Sequence, residues 1–214
     1  MKDVELLKNY DVIFWDFDGV IKESVEVKSN AFEQLFSPFG KEVAKRVRAH
    51  HEDNGGMSRF DKLQIYLEWV GQAVTQPLID VYLKNFSDIV KQKVIDSEWV
   101  PGAWEYLENH SEKKFFFLVT ATPQEEIEEI INELQIRKHF RKVTGSPTNK
   151  IEAIRIILAE FFIKADCAIM IGDSSSDYQA AFENHLNFAL RRTNLNNRLQ
   201  GLLENNLIEN FLED

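Results

Sequence analysis

Two aspartates, Asp16 and Asp18, directly follow the apolar run Val12-Ile13-Phe14-Trp15. The run is short and bounded by charge, which suits a buried strand. In open α/β sheets ligands bind outside the carboxyl ends of the strands, so both carboxylates fall where chemistry is expected. Acids at this spacing can divide labour: one attacks, while the other donates and accepts a proton. Gly19 lets the chain turn away behind them. A solvated turn at a strand end would read the same way from these residues alone.

A second loop of this kind follows Ile169-Met170-Ile171 and reads Gly172-Asp173-Ser174-Ser175-Ser176-Asp177. Asp173 could serve Mg²⁺, which takes few carboxylates besides water and phosphate oxygens. Asp177, one helical turn later, could orient the site from behind. The same two acids would also suit the first turn of the helix through Ala180 and Ala181. Lys150 stands at a helix start after Ser146-Pro147-Thr148-Asn149. A cation there opposes the helix dipole by roughly 0.3–1 kcal/mol, a cost that nearby carboxylates or a bound phosphate would offset. Thr120 ends the run Phe115-Phe116-Phe117-Leu118-Val119. Its hydroxyl and the backbone amides from Ala121 onward could hold phosphate oxygens, or simply cap the next helix.

The elements that must position these residues alternate. Strands are expected at residues 12–15, 115–120, 168–172 and 187–190, with a shorter one at 141–144. A helix is expected at 123–135, where Ile127, Ile130, Ile131 and Leu134 share a face. Thr122 is its expected N-cap, Pro123 its first residue and Glu125 the partner in a capping box. Another helix is expected at 150–162. Alternation of this kind predicts a parallel sheet covered on both sides. Residues 23–95 read as helices only, with stripes at Val27, Ala31, Phe32, Leu35 and Phe36, at Leu63, Ile65, Tyr66, Leu67 and Val70, and at Leu78, Val81, Tyr82, Ile89 and Val90. Ser58 is the expected cap of the second stripe. An all-helical block between the first strand and the rest has the form of an inserted lid, with hinges at 21–24 and 95–100. Residues 199–214 read as a helix packed on the core.

The chain has 214 residues, a net charge of −10 and a single cysteine. That charge argues against binding to nucleic acid or to an anionic membrane, and requires local positive charge for any anionic substrate. Cys167 leads an apolar run, where a buried and inert thiol is expected. Adjacent His50 and His51 cannot easily face one ion from a helix. The charged N-terminus and short apolar runs predict a soluble cytoplasmic protein.

Taken in order, Asp-Phe-Asp-Gly-Val, Thr after an apolar strand, Lys, and Gly-Asp-Ser-x-x-Asp resemble the haloacid dehalogenase superfamily of phosphohydrolases, over Asp16 to Asp177. The helical block is similar to the cap of the branch holding phosphoglycolate phosphatase and β-phosphoglucomutase, and Val100-Pro101-Gly102-Ala103 to that branch's cap-return turn. The resemblance implies an α/β fold: a Rossmann-like parallel-sheet core of residues 1–22 and 96–214, with residues 23–95 as an inserted all-α cap. It also implies a Mg²⁺-dependent phosphatase for a small phosphorylated metabolite, working through an aspartyl phosphate. In that reading Asp16 is the nucleophile and Asp18 the acid and base. Mg²⁺ is held by the Asp16 side chain, the Asp18 backbone carbonyl and Asp173. Thr120 and Lys150 hold phosphoryl oxygens, Gly19 and Ala121 border the substrate, and Asp177 supports Lys150 or a metal-bound water.

Asp18 counts against true dehalogenases and phosphonoacetaldehyde hydrolases, which lack that second acid. Gly172, where β-phosphoglucomutases carry Glu, favours hydrolysis over a phosphosugar mutase, which is the alternative. In the cap, Gly55-Gly56-Met57-Ser58-Arg59 is similar to the mutase substrate loop. Arg59 could then reach a second anionic group on the substrate, or lie solvated in a first helical turn. Lys28 stands near the mutase hinge position and could contact substrate.

Overall fold

The computed structural model describes residues 3–203 and 206–213. Its six strands are β1 (Val12–Trp15), β2 (Phe115–Pro123), β3 (Phe140–Ser146), β4 (Ala168–Gly172), β5 (Asn187–Arg191) and β6 (Leu207–Ile208). They form one parallel sheet in the order β3-β2-β1-β4-β5-β6. The order reverses beside β1, so the loops after β1, β2 and β4 open at one crevice.

Successive residues of each central strand enter different cores, as the two-residue period of a strand dictates. Ile13, Trp15, Phe116 and Ile171 pack on one face, while Phe14, Phe117, Met170 and Leu190 pack on the other. The first face is covered by α5 (Ala103–His110) and α6 (Gln124–Glu133), the second by α7 (Lys150–Glu160) and α8 (Ser175–Glu183). Covering both faces explains why the strands read as unbroken apolar runs. Each large side chain so buried contributes about 1.5–3 kcal/mol.

Between β1 and α5 lie four helices: α1 (Val25–Phe36), α2 (Lys41–Asp53), α3 (Arg59–Trp69) and α4 (Gln76–Asp96). Ala31, Phe32 and Phe36, with Val47, Tyr66, Phe86 and Val90, close a core of their own that continues into the first sheet face. The chain leaves and re-enters the sheet side by side. Val100 N donates to Ile21 O at 3.0 Å, Glu23 N donates to Glu98 O at 2.9 Å, and buried Lys22 reaches Ile95 O at 3.0 Å.

Several expectations need correction. Helix α6 starts one residue late, because β2 runs on through Pro123 and the Thr122 hydroxyl bonds to Lys28 instead of capping. In α4 the buried face is Ile79, Phe86, Val90 and Val94, which leaves Val81 outside. Among the described residues of 199–214 there is no long helix. Within the described tail there is one turn, α9 (Asn197–Gln200), followed by β6, and the Phe211 ring packs tilted against Trp15 with ring centres 5.0 Å apart. Cys167 is exposed, because a single 3-10 turn, Ala165–Cys167, holds it at the rim before β4 begins. Ser58 does cap α3, accepting from Asp61 N at 3.2 Å. No helix among the described residues is long and apolar enough to cross a membrane.

Candidate active site

The loops after β1, β2 and β4 and the start of α7 converge on one cavity of about 770 Å³, within the usual range for ligand pockets. Asp16 stands one residue past β1 and is 5% exposed. One of its oxygens accepts from Phe17 N at 2.7 Å, and the other meets Lys150 Nζ at 2.8 Å. Lys150, the first residue of α7, is buried as well and reaches Asp177 Oδ1 at 2.5 Å. The remaining oxygen of Asp177 accepts from Ser174 Oγ at 2.5 Å and Ser174 N at 3.1 Å, forming a capping box for α8. Asp177 therefore caps α8 with one oxygen and pairs with Lys150 through the other.

Asp173 completes the group. Oxygens of Asp16, Asp173 and Asp177 lie within 4.8 Å of one another. The loop carrying Asp173 is braced by Asn196, whose side-chain amide donates to Asp173 O and Arg191 O at 2.8 Å each. Gly19 has φ +73°, and a Cβ there would stand 2.2 Å from Asp173 Oδ2, so the first and last loops approach only because residue 19 has no side chain.

Charge is unbalanced here. Three carboxylates face one ammonium, which leaves two negative charges when all are ionised. Burial, then Asp177, pushes Asp16 up to about 7. Burial, then Asp16 and Asp177, raises Asp173 well above the usual carboxylate range. Burial alone would lower Lys150, but Asp16 and Asp177 outweigh it and hold it above its ordinary value. The Asp173 carboxylate takes no hydrogen bond from a described residue. Two excess negative charges, one oxygen-only ligand set and a free carboxylate fit a divalent hard cation.

Asp18 is held apart from this group. Its carboxylate accepts from Ser24 Oγ at 2.6 Å, pairs with Lys28 Nζ, and meets Thr122 Oγ1 at 3.4 Å. Burial would raise Asp18, but Lys28 and Ser24 prevail and hold it below its ordinary value. Thr120 is buried at the end of the apolar part of β2, and its hydroxyl accepts from Thr122 N at 3.2 Å. Ala121 lines the cavity between them. Asp16, Asp18, Thr120, Ala121, Lys150 and Asp173 thus come together, with Asp177 behind them and Gly19 at the turn.

The helical block supplies the facing wall. Lys28 lies on α1 and bonds to Asp18 and Thr122 across the cavity. Arg59, expected as a contact to a second anionic group of the substrate, lines the cavity, and its guanidinium pairs with Glu126 of α6 at 2.5 and 2.8 Å, with Ser87 joining at 2.8 Å. His50 and His51 diverge as expected. His50 turns to Tyr66 and His51 to Lys62. Thr122, Asn196, His51 and Lys62 also line the cavity, and Ser24 bonds Asp18 from behind it, none of them expected there from the sequence. Thr122 carried a signal, as the hydroxyl two positions beyond Thr120, and His51 drew notice only as a neighbour of His50.

A family profile described as haloacid dehalogenase-like hydrolase matches residues 12–190. No curated protein matches the sequence at the level set for significance. Among solved structures, the chain is similar to CbbY from Rhodobacter sphaeroides in complex with xylulose-(1,5)bisphosphate, with 14% identity, TM-score 0.77 and coverage of 95% and 96% of the two chains. It is also similar to a predicted phosphoglycolate phosphatase from Haemophilus somnus, with 16% identity, TM-score 0.74 and 95% of each chain covered. A haloacid dehalogenase-like family hydrolase from Streptococcus pneumoniae shares 18% identity at TM-score 0.69 over 94% of each chain. At these identities the structural likenesses speak to the fold, whereas the profile spans most of the chain and includes every residue of the carboxylate–lysine cluster. The chain belongs to the haloacid dehalogenase-like hydrolase family.

Proposed function

We propose that the protein is a Mg²⁺-dependent phosphatase for a small phosphorylated metabolite. The observation that carries this reading is Lys150 clamped between Asp16 and Asp177, with Asp173 unbonded beside them. Asp16, the Asp18 backbone carbonyl and Asp173 would hold the cation, which supplies positive charge against the phosphoryl oxygens when bound. Residues 23–95 serve as a cap over a core of residues 1–22 and 96–214, and closure excludes water from the first step.

Asp16 attacks phosphorus, and the bond from phosphorus to the leaving oxygen breaks as Asp18 protonates that oxygen. Water then attacks the aspartyl phosphate while Asp18 takes its proton, and the bond to Asp16 breaks to release phosphate. Acid–base help of this kind gives ~10²–10⁴ in rate. Lys150 and Thr120, with the backbone amides near Gly19 and Ala121, stabilise the transferring oxygens. The ion pair with Lys28 favours ionised Asp18, the form the second step needs.

Phosphate release from p-nitrophenyl phosphate and a panel of phosphorylated metabolites tests the proposal. The expected result is release with Mg²⁺, none with EDTA, and none from Asp16→Asn whose mass excludes deamidation. Full activity in EDTA or in Asp16→Asn would reject it. Turnover that needs a bisphosphate primer and releases no net phosphate would move the assignment to a phosphosugar mutase.

A further inference from the structure

Away from the carboxylates, the cavity wall carries a lysine with no acidic partner. Lys62 on α3 is 1% exposed and lines the cavity with His51, Phe32 and Phe86. Its Nζ meets His51 Nδ1 at 2.8 Å and His51 O at 3.5 Å, and no ion pair holds it among the described residues. An ammonium has three donors, and both of these contacts go to a single residue. The neighbouring cations are already matched: Lys28 pairs with Asp18, and Arg59 with Glu126. Glu52 on the cavity rim is bound by Arg48 at 2.9 Å, and Asp53, also on the rim, makes no ion pair with Lys62. Burial first, then Lys28, draws Lys62 down to about 7, and burial keeps His51 neutral.

Buried cations are ordinarily paired, because an isolated ammonium in an apolar wall is costly. Here a pairing group can enter from the cavity. That cavity is continuous, with the Asp16–Lys150 cluster lining one part and Lys62 and His51 another. We propose that Lys62 and His51 form the receptor for a second anionic group on the substrate, a carboxylate or phosphate remote from the scissile phosphoryl group. The proposal rests on the phosphatase reading of the same site and narrows it to doubly anionic phosphomonoesters. It also moves the receptor from Arg59, whose planar fork is closed on Glu126, to a point charge set deeper in the wall.

Three matched pairs test this: glycerol 3-phosphate against 3-phosphoglycerate, glucose 6-phosphate against 6-phosphogluconate, and fructose 6-phosphate against fructose 1,6-bisphosphate. In the wild type, kcat/KM for the anionic member of at least one pair should exceed that of its neutral-tailed mate by about tenfold or more. The carboxylate and phosphate pairs show which anion is read. Lys62→Met should bring that ratio close to one, and Lys62→Arg should restore part of it. Wild-type ratios near one in every pair would overturn the proposal. So would a Lys62→Met variant that slows both members equally, since that marks a purely structural lysine. If Lys62→Met does not fold, His51→Gln takes its place with the same expectation. If the wild type hydrolyses none of the six compounds, p-nitrophenyl phosphate turnover decides the phosphatase reading separately, and calorimetric Kd ratios for the same pairs, with and without Lys62, decide the receptor by the same criteria.

Discussion

In the proposed mechanism Asp177 acts through Lys150. Its oxygens bond the Lys150 ammonium and Ser174, and it is fully buried behind the residues that line the cavity. Asp177→Asn keeps the shape but weakens the hold on Lys150. Removing a supporting group of this kind typically costs about 10–100-fold in activity. We expect kcat to fall by that order with the thermal midpoint little changed, measured by steady-state kinetics beside a melting curve; an unchanged kcat would contradict the role. Asp16, Asp18, Lys150 and Asp173 were legible in the sequence because each stands just past an apolar strand or at a helix start. Their placement is a local matter of strand, turn and helix. Lys62 and His51 were not legible, because their meeting depends on how α2 packs against α3. On paper Lys62 is one more polar residue of a helical turn. The fork between Arg59 and Glu126 joins residues 67 positions apart, and no spacing rule predicts it.

Helices and loops set how closely the cap meets the core. The Gly55-Gly56 loop between α2 and α3 lies against the loop that carries Asp173. A Cβ on Gly56 would stand 1.5 Å from Ser176 Oγ and 2.4 Å from Ser176 Cβ. Such overpacking typically costs about 1–3 kcal/mol. Gly56→Ala should therefore lower kcat/KM, and Ser176→Gly in the same chain should recover most of the loss, as expected for contacting residues. Independent, additive effects would mean that the contact does not matter to turnover. At this scale the sequence showed the sheet strands well, since both of their faces are apolar. It did not separate α2, whose buried residues are only Ala44, Val47 and His51. It also misread the tail, because a strand as short as β6 has no period, and its place is fixed by pairing with β5.

Across the whole molecule, cap and core are joined by ion pairs as well as by apolar packing. Glu126 is the core half of the buried fork with Arg59, and Lys91 and Glu129 form an exposed pair beside it at 2.6 Å. Exposed pairs contribute little, but leaving a buried charge unpaired costs about 3–5 kcal/mol. Glu126→Gln should lower the urea midpoint accordingly. Burial would raise the Glu126 carboxyl, yet Arg59 and Ser87 hold it below its ordinary value. A depressed native pKa gives stability that is present above the unfolded value, about 4.3, and is lost as pH falls through the native one. The wild type should lose this part of its stability below about pH 4.3, and Glu126→Gln should lack that component. Equal acid dependence in both proteins would show that the fork is not what holds cap to core.

The central claim is that Asp16 carries the phosphoryl group. Acid quenching of the enzyme during turnover of p-nitrophenyl [³²P]phosphate, followed by peptide mapping, reads this directly. The account predicts acid-stable, hydroxylamine-labile label on the peptide that contains Asp16, absent from Asp16→Asn and absent without Mg²⁺. Label on another residue, or phosphate released with no labelled enzyme at any quench time, would contradict it.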